Sequence, residues 1–110
     1  MVRRTAPPDA PSAATADAGS WTFLTNHSHV LICLARDPQL RLRDLADRVG
    51  ITERAVQGIV TDLVAAGCLI RHREGRRNRY DIVADHPMRH RVERHHVIGD
   101  LIAAMAPTDD

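Results

Sequence analysis

The sequence has few aromatic residues, no lysine and no long apolar run. Its 110 residues include one Trp, one Tyr and one Phe, so the core must be built mainly from Leu, Ile, Val and Ala. No apolar stretch approaches the roughly eighteen residues that a membrane helix needs, and the N-terminus lacks the pattern of a signal peptide. We therefore expect one small core without membrane contact, located in the cytoplasm.

Signatures of catalysis are also missing from the sequence. It contains no glycine-rich phosphate loop, no nucleophile elbow and no His-Glu-x-x-His motif. We expect neither enzymatic activity nor a cofactor. Cys33 and Cys68 lie among apolar residues and are predicted to be core thiols, and a redox-sensing pair is the alternative.

Two consecutive amphipathic helices are predicted in the middle of the chain. The first carries an apolar stripe at positions i, i+3, i+4 and i+7 and ends at Gly50. Thr52 offers a side-chain oxygen to cap the second helix, which stops at Gly67. The stripes consist of Leu42, Leu45, Ala46 and Val49 in the first helix and Val56, Ile59, Val60, Leu63 and Val64 in the second. Helices joined by so short a turn are typical of a helix-turn-helix.

The outer face of the second helix is polar and carries Arg54, Gln57, Gly58 and Thr61. In a helix-turn-helix this face enters the major groove of DNA. Gln pairs with adenine and Arg with guanine, so we expect Gln57 and Arg54 to read bases. Gly58 costs about 1 kcal/mol relative to Ala in a helix, and it either brings the backbone close to DNA or leaves one base position unread.

An arginine-rich β-hairpin is predicted directly after the second helix, with Gly75 near its tip. Five arginines fall within nine residues: Arg71, Arg73, Arg76, Arg77 and Arg79. They are predicted to contact phosphates or an adjacent minor groove; the alternative is a solvated hairpin kept soluble by charge. The net charge of +1 hides this basic segment, because residues 21–83 hold ten Arg against seven acids and residues 84–110 hold three against five.

Residues 21–83 resemble the winged helix-turn-helix of the MarR and ArsR families of bacterial transcriptional regulators. The resemblance rests on three segments, 45–52 (LADRVGIT), 63–71 (LVAAGCLIR) and 75–80 (GRRNRY). It implies a homodimeric repressor or activator that binds a pseudo-palindromic operator with one recognition helix per half-site. The chain departs from the families at Gly58, and it lacks the longer terminal helices of a full-length MarR protein.

We therefore predict a mainly α fold with a small β-hairpin (α+β), a winged helix-turn-helix with an added C-terminal helix. The predicted function is sequence-specific binding of double-stranded DNA as a homodimeric regulator, with repression favoured. The alternative, a protein-interaction module, would present an apolar or acidic outer face on the second helix. The predicted DNA-contacting residues are Arg43, Thr52, Arg54, Gln57, Gly58, Thr61, Arg71, Arg73, Arg76, Arg77, Asn78 and Arg79.

The DNA-binding domain is expected to span residues 20–84, after a disordered arm formed by residues 1–19. Trp21 and Phe23 begin its folded part, and Thr25 or Asn26 caps a helix that runs through about Arg36. No good N-cap residue precedes Leu42. Leu40 fits a very short strand that would pair with the hairpin.

The C-terminal segment 85–106 is expected to form one helix from Pro87 to about Met105, followed by a tail at 107–110. Its apolar stripe is predicted to form a dimer interface and comprises Val92, Ile98, Leu101, Ile102 and Met105. The alternative is that this helix folds back onto the first helix of its own domain.

Four histidines cluster near the C-terminus: His86, His90, His95 and His96. On a helix, His86 and His90 would share one face and could hold a divalent metal ion. The resemblance to ArsR-type sensors makes a metal-responsive regulator a second alternative, while a polar helix face without metal is the simpler interpretation. A small-molecule effector of unknown type is compatible with either reading.

Overall fold

The computed structural model describes residues 20–105, which form four helices and one β-hairpin. In chain order the elements are α1 (Asn26–Arg36), α2 (Leu42–Val49), α3 (Glu53–Ala65), β1 (Leu69–Glu74), β2 (Arg77–Ile82) and α4 (Ile98–Met105). The predicted arm at 1–19 and tail at 107–110 lie outside the described residues. Among the described helices, none has the length and apolar character required to cross a bilayer.

Helix α1 begins and ends as predicted. The Thr25 hydroxyl accepts a hydrogen bond from the backbone N–H of Ser28 at 3.3 Å, which satisfies one of the free donors of the first turn. The helix ends at Arg36, since Asp37 is extended ahead of Pro38.

The turn between α2 and α3 depends on Gly50, which has a φ of +84°. In this conformation the N–H groups of Gly50 and Ile51 both donate to the carbonyl of Ala46, at 2.8 and 3.1 Å. The Thr52 hydroxyl then caps α3 by accepting from the N–H of Ala55 at 3.0 Å. The chain can therefore reverse within three residues without leaving these backbone donors unpaired.

Helix α2 lacks a side-chain N-cap but has a substitute. The Asp44 carboxylate accepts a hydrogen bond from the backbone N–H of Arg41 at 3.2 Å. A carboxylate in the first turn also favours the positive end of the helix. The start at Leu42, which the sequence left uncertain, is thus stabilised from inside the helix.

Helix α3 ends in a Schellman arrangement that directs the chain into β1. Gly67 has a φ of +86°, and its N–H donates to Val64 while that of Cys68 donates to Leu63. Cys68 and Leu63 are both buried. The last turn of the helix is thereby tied to the first strand of the hairpin.

The core is aliphatic, as the composition predicts, and every helix and both strands contribute to it. Burial of one Leu, Ile or Val side chain contributes about 1.5–3 kcal/mol. The buried side chains are Val30, Leu31, Leu34, Leu40, Leu45, Ala46, Val56, Ile59, Val60, Leu63, Cys68, Leu69, Tyr80 and Ile98. The apolar stripes of α2 and α3 therefore face inward.

Strands β1 and β2 pair antiparallel, from Leu69 opposite Ile82 to Glu74 opposite Arg77, around a two-residue loop that begins with Gly75. The predicted third strand at Leu40 is wrong, because the sheet has two strands within residues 20–105. The backbone N–H of Tyr80 donates to the carbonyl of Pro38 at 3.0 Å. Pro38 has no N–H, so it cannot donate a second hydrogen bond to β2. The Leu40 N–H is used in a turn with Asp37.

The predicted long C-terminal helix is also wrong in its start, since α4 begins at Ile98 and not at Pro87. Residues 87–97 form a loop closed by a bridge between Pro87 and Val97. Ile98 is 3% exposed and Ile102 packs against the core. These two residues of the predicted dimer stripe therefore belong to the core of their own domain. This agrees with the alternative prediction, in which the C-terminal helix folds back onto α1.

Trp21 and Phe23 do not begin the buried part of the domain. Their rings contact each other edge to face at 4.9 Å, but the side chains are 74% and 91% exposed. The compact part therefore starts at Leu24 and α1, and these two aromatic rings lie outside it.

The order of elements gives a winged helix-turn-helix. Helices α2 and α3 with the Gly50 turn form the helix-turn-helix, and α1 packs against both. The hairpin of residues 69–82, called the wing below, follows α3 directly. Helix α4 closes the domain against α1. The predicted fold class is confirmed, with a shorter final helix.

Candidate nucleic-acid interface

The outer face of α3 is open to solvent. Arg54, Gln57, Gly58 and Thr61 are all exposed, whereas the opposite face is buried through Val56, Ile59, Val60 and Leu63. Within residues 20–105, the side chains of Arg54, Gln57 and Thr61 have no hydrogen-bond or ion-pair partner. Their donors and acceptors are therefore free for an external partner, as the sequence predicts.

Gly58 lies on this face within the helix, and nothing approaches within 4 Å of the position that its Cβ would occupy. The protein's own packing therefore does not require glycine here. Thr52 marks the N-terminal end of the same face, where its hydroxyl accepts the capping bond from Ala55 and keeps its own proton available for donation.

The two faces of the wing differ in charge. Strand alternation places Arg71 and Arg73 on the face that carries buried Leu69 and Tyr80. Arg71 lies over the Tyr80 ring at 6.0 Å, and the Arg73 Nε donates to the carbonyl of Gly75 at 3.2 Å. Neither guanidinium has a carboxylate partner within residues 20–105, so both are available for phosphate contacts.

The other face of the wing holds a network of ion pairs. Arg79 contacts Glu74 at 2.9 Å and Asp81 at 2.6 Å, and His72 contacts Asp81 at 2.8 Å. The hydrogen bond from Arg79 lowers the pKa of the Glu74 carboxyl below its ordinary value. The charge of Arg79 is therefore balanced by two carboxylates within the wing. It is less available to DNA than its sequence position suggests.

Four further predicted residues differ in whether their side chains already have a partner. Arg77 donates from Nη2 to the carbonyl of Gln39 at 2.6 Å, which ties the wing to the segment before α2. The Asn78 amide is 3.5 Å from the Tyr80 hydroxyl. Arg43 and Arg76 are exposed and have no side-chain partner in the described part of the chain.

Sequence reasoning missed the acidic partners inside the wing. Glu74 directly opposes Arg77 in the hairpin register, and Asp81 is two residues from Arg79 on the same face. Opposite charges so placed in an antiparallel pair attract. A register drawn from the Gly75 turn would have shown that not all five arginines are free.

The premise of the predicted histidine metal site is wrong. His86 and His90 lie in the 83–97 segment, which is not helical, so they do not share a helix face. One His90 nitrogen accepts from the Val92 N–H at 3.0 Å, and His86 lies beside the Pro87 carbonyl at 2.8 Å. Within residues 20–105, no three or more His, Cys, Asp or Glu side chains converge as a metal site would need.

The two cysteines lie where the sequence predicts, in or against the core. Cys68 is 3% exposed and Cys33 is partly buried against the core. Burial raises the pKa of both thiols above the ordinary value. Because the thiolate is the reactive form, this environment disfavours a redox-sensing role.

Comparison with known proteins finds a family model and a solved structure that are similar to this chain. Residues 24–70 match the family model described as winged helix-turn-helix DNA-binding. The PcaV transcriptional regulator from Streptomyces coelicolor, solved in complex with its natural ligand, is similar at 26% identity with a TM-score of 0.49. The alignment covers 78% of this chain and 60% of PcaV, so this chain corresponds to less than two thirds of that protein. No curated protein sequence matches the chain.

The family match spans α1, α2, α3 and the start of β1, which is the part of the chain that presents the polar face of α3. This part of the chain is therefore similar in sequence to winged helix-turn-helix DNA-binding domains.

Proposed function

We propose that this protein is a sequence-specific transcriptional regulator that binds double-stranded DNA through α3 and the wing. The observation that carries the proposal is the outer face of α3, where the side chains of Arg54, Gln57 and Thr61 are exposed and unpartnered among the described residues. Arg and Gln supply the bidentate donors and acceptors that distinguish bases in the major groove. A protein-docking face would instead be apolar or acidic.

Arginines around this face would contact the DNA backbone. Arg43 in α2 and Arg71, Arg73 and Arg76 in the wing are exposed and lack carboxylate partners within residues 20–105. Such contacts fix the position of a protein on the duplex and make its affinity depend on salt. Binding, without catalysis, is the activity we propose, and the cytoplasm is the proposed location.

We further propose that the protein acts as a homodimeric repressor on a pseudo-palindromic operator. Val92 is 69% exposed and Met105 is 49% exposed. Val92 and Leu101 also line a hollow of about 430 Å³ between the 88–97 segment and α4, whose lining is half apolar and half polar. A partner subunit would cover this surface and place two α3 helices about 34 Å apart, one turn of B-DNA.

The test is selection of bound duplexes from a random pool, followed by fluorescence-anisotropy titration of the selected site. We expect an inverted repeat with half-sites about one helical turn apart, bound at least a thousandfold more tightly than a scrambled duplex at physiological salt. Recovery of no preferred sequence, with equal affinity for selected and scrambled duplexes, would contradict the proposal.

A further inference from the structure

A largely apolar groove lies between the C-terminal end of α1, strand β2 and α4. Its volume is about 690 Å³, which is in the range of pockets that hold small organic ligands. Apolar residues of all three elements line it, among them Leu34, Ile82, Ile102 and Ala103. Within residues 20–105, Asp81 is the one charged side chain in the lining. The charge at this groove is therefore negative.

The end of α1 that borders the groove has backbone carbonyls without a donor. The Leu34 carbonyl would normally accept from the N–H of residue 38, but Pro38 has none. The Ala35 carbonyl would accept from the Gln39 N–H, which instead donates to the Asp37 carboxylate at 3.0 Å. Among the described residues, no other donor bonds to either carbonyl. Two acceptors are thus free at the negative end of the helix dipole.

Asp81 adds an accessible carboxylate on the β2 side of the groove. It accepts from Arg79 Nη1 at 2.6 Å and contacts His72 Nε2 at 2.8 Å, yet its side chain remains 46% exposed. Arg79 is shared with the Glu74 carboxylate, and His72 is charged only when protonated. With His72 neutral, two carboxylates and one guanidinium leave this network with an excess negative charge.

We propose that the groove binds an amphiphilic ammonium compound, a small molecule with one protonated amine and an apolar body. An ammonium group has three donors and no acceptor, so it suits a site that offers the Asp81 carboxylate and the carbonyls of Leu34 and Ala35. The apolar body would cover the side chains of Ile82 and Ile102. An anionic ligand would meet charge and dipoles of the wrong sign. This site does not depend on the proposed DNA binding.

The test compares three phenyl compounds that differ in their polar group: phenethylammonium, phenethyl alcohol and hydrocinnamate. Backbone amide shifts of the full chain are followed by NMR near neutral pH at constant ionic strength. We expect saturable shifts confined to residues 34–38, 80–84 and 99–103. The ammonium compound should bind about tenfold more tightly than the alcohol, the gain from one charge-assisted hydrogen bond. Hydrocinnamate should bind more weakly than the alcohol.

Two pairs of variants locate the charge recognition. Asp81→Asn should reduce the affinity for phenethylammonium to that for the alcohol, while Asp85→Asn, the same change at an exposed acid outside the lining, should match wild type. Ala103→Lys places a cation in the groove and should weaken phenethylammonium binding about tenfold. Ala104→Lys, at an exposed position outside the lining, should leave the affinity unchanged.

Absence of saturable shifts at the groove would overturn the proposal, as would equal affinity of wild-type protein for the three compounds. The thermal midpoint of each variant gives the fold control. If Asp81→Asn unfolds the domain, the three compounds on wild-type protein and the two lysine variants still decide. Because no DNA is present, failure of this test leaves the proposed function standing, and failure to bind DNA leaves the ammonium site standing.

Discussion

At the scale of single residues, the four glycines of the helix-turn-helix and the wing are of two kinds. Gly50, Gly67 and Gly75 have positive φ and enable the two turns and the wing tip. Gly58 is helical, and its Cβ position is empty. The sequence distinguishes these kinds, because Gly50, Gly67 and Gly75 follow the end of an amphipathic pattern or interrupt an alternating one, whereas Gly58 lies inside a helical repeat.

Alanine at the two kinds of glycine should change stability in opposite directions. Gly58→Ala should raise the free energy of unfolding by about 1 kcal/mol, since Ala loses less backbone entropy. Gly67→Ala should lower it by about 1–3 kcal/mol, because alanine would have to adopt the positive φ of Gly67. Lack of space is not the cause, since the atoms nearest to the added Cβ, in the His86 ring, are at an ordinary 3.7 Å. Urea denaturation of both variants measures this. Equal stability of Gly67→Ala and wild type would show that its conformation is not strained.

At the scale of elements, the wing is a charge-paired hairpin on one face and a free arginine surface on the other. The first face depends on Glu74, which accepts from Arg79 and from the Gln39 amide, at 2.9 and 3.1 Å. The sequence predicted the hairpin and its turn because alternation and Gly75 are local signals. Alternation alone does not show the ion pairs, which follow only when the strand register set by the Gly75 turn is included.

The Glu74 contacts give the wing a defined acid dependence. The hydrogen bond from Arg79 lowers the pKa of Glu74 in the folded state below the ordinary 4.5. Its contribution to stability is therefore present above pH 4.5 and is lost as the pH falls through the lowered pKa. NMR titration of the Glu74 carboxyl should give a midpoint below that of an unfolded peptide. A midpoint at or above the peptide value would refute this ion pair.

Replacing Glu74 should also change DNA binding. Glu74→Gln removes one negative charge and releases Arg79 from one of its two carboxylates. We expect tighter binding to every duplex, with a steeper dependence on salt, because another guanidinium becomes available to phosphates. Glu93→Gln, which removes an exposed acid in the 88–97 segment, is the matched control. Equal gains for the two variants would mean that net charge alone is responsible.

The C-terminal element shows where pattern reasoning fails. The stripe that ends at Met105 is real, but the run from Arg89 to His96 is charged and offers no continuous apolar face. The bridge between Pro87 and Val97 and the bond from Met88 to the His96 carbonyl close it as a loop. Such contacts override helix propensity in this segment.

At the scale of the whole molecule, α4 packs on α1 and also leaves apolar side chains exposed. If the proposed dimer forms through this surface, Leu101→Glu should be monomeric, because a charge buried at the interface would lose its solvation. Ala103→Glu, on the opposite flank of the same helix, is the control. Light scattering gives the masses, and circular dichroism checks that both variants fold. A folded Leu101→Glu protein with an unchanged dimer mass would exclude this interface.

We propose that the exposed face of α3 recognises DNA sequence. Anisotropy titration of the Gln57→Ala variant is the most direct test of this recognition. Titrations should use the selected duplex and its single-base variants. The substitution should not disturb the fold, because the Gln57 side chain is exposed. Preference at one base pair should fall by about 1–3 kcal/mol, while affinity for non-specific duplex should be unchanged. Undiminished preference at every position of the site would contradict it.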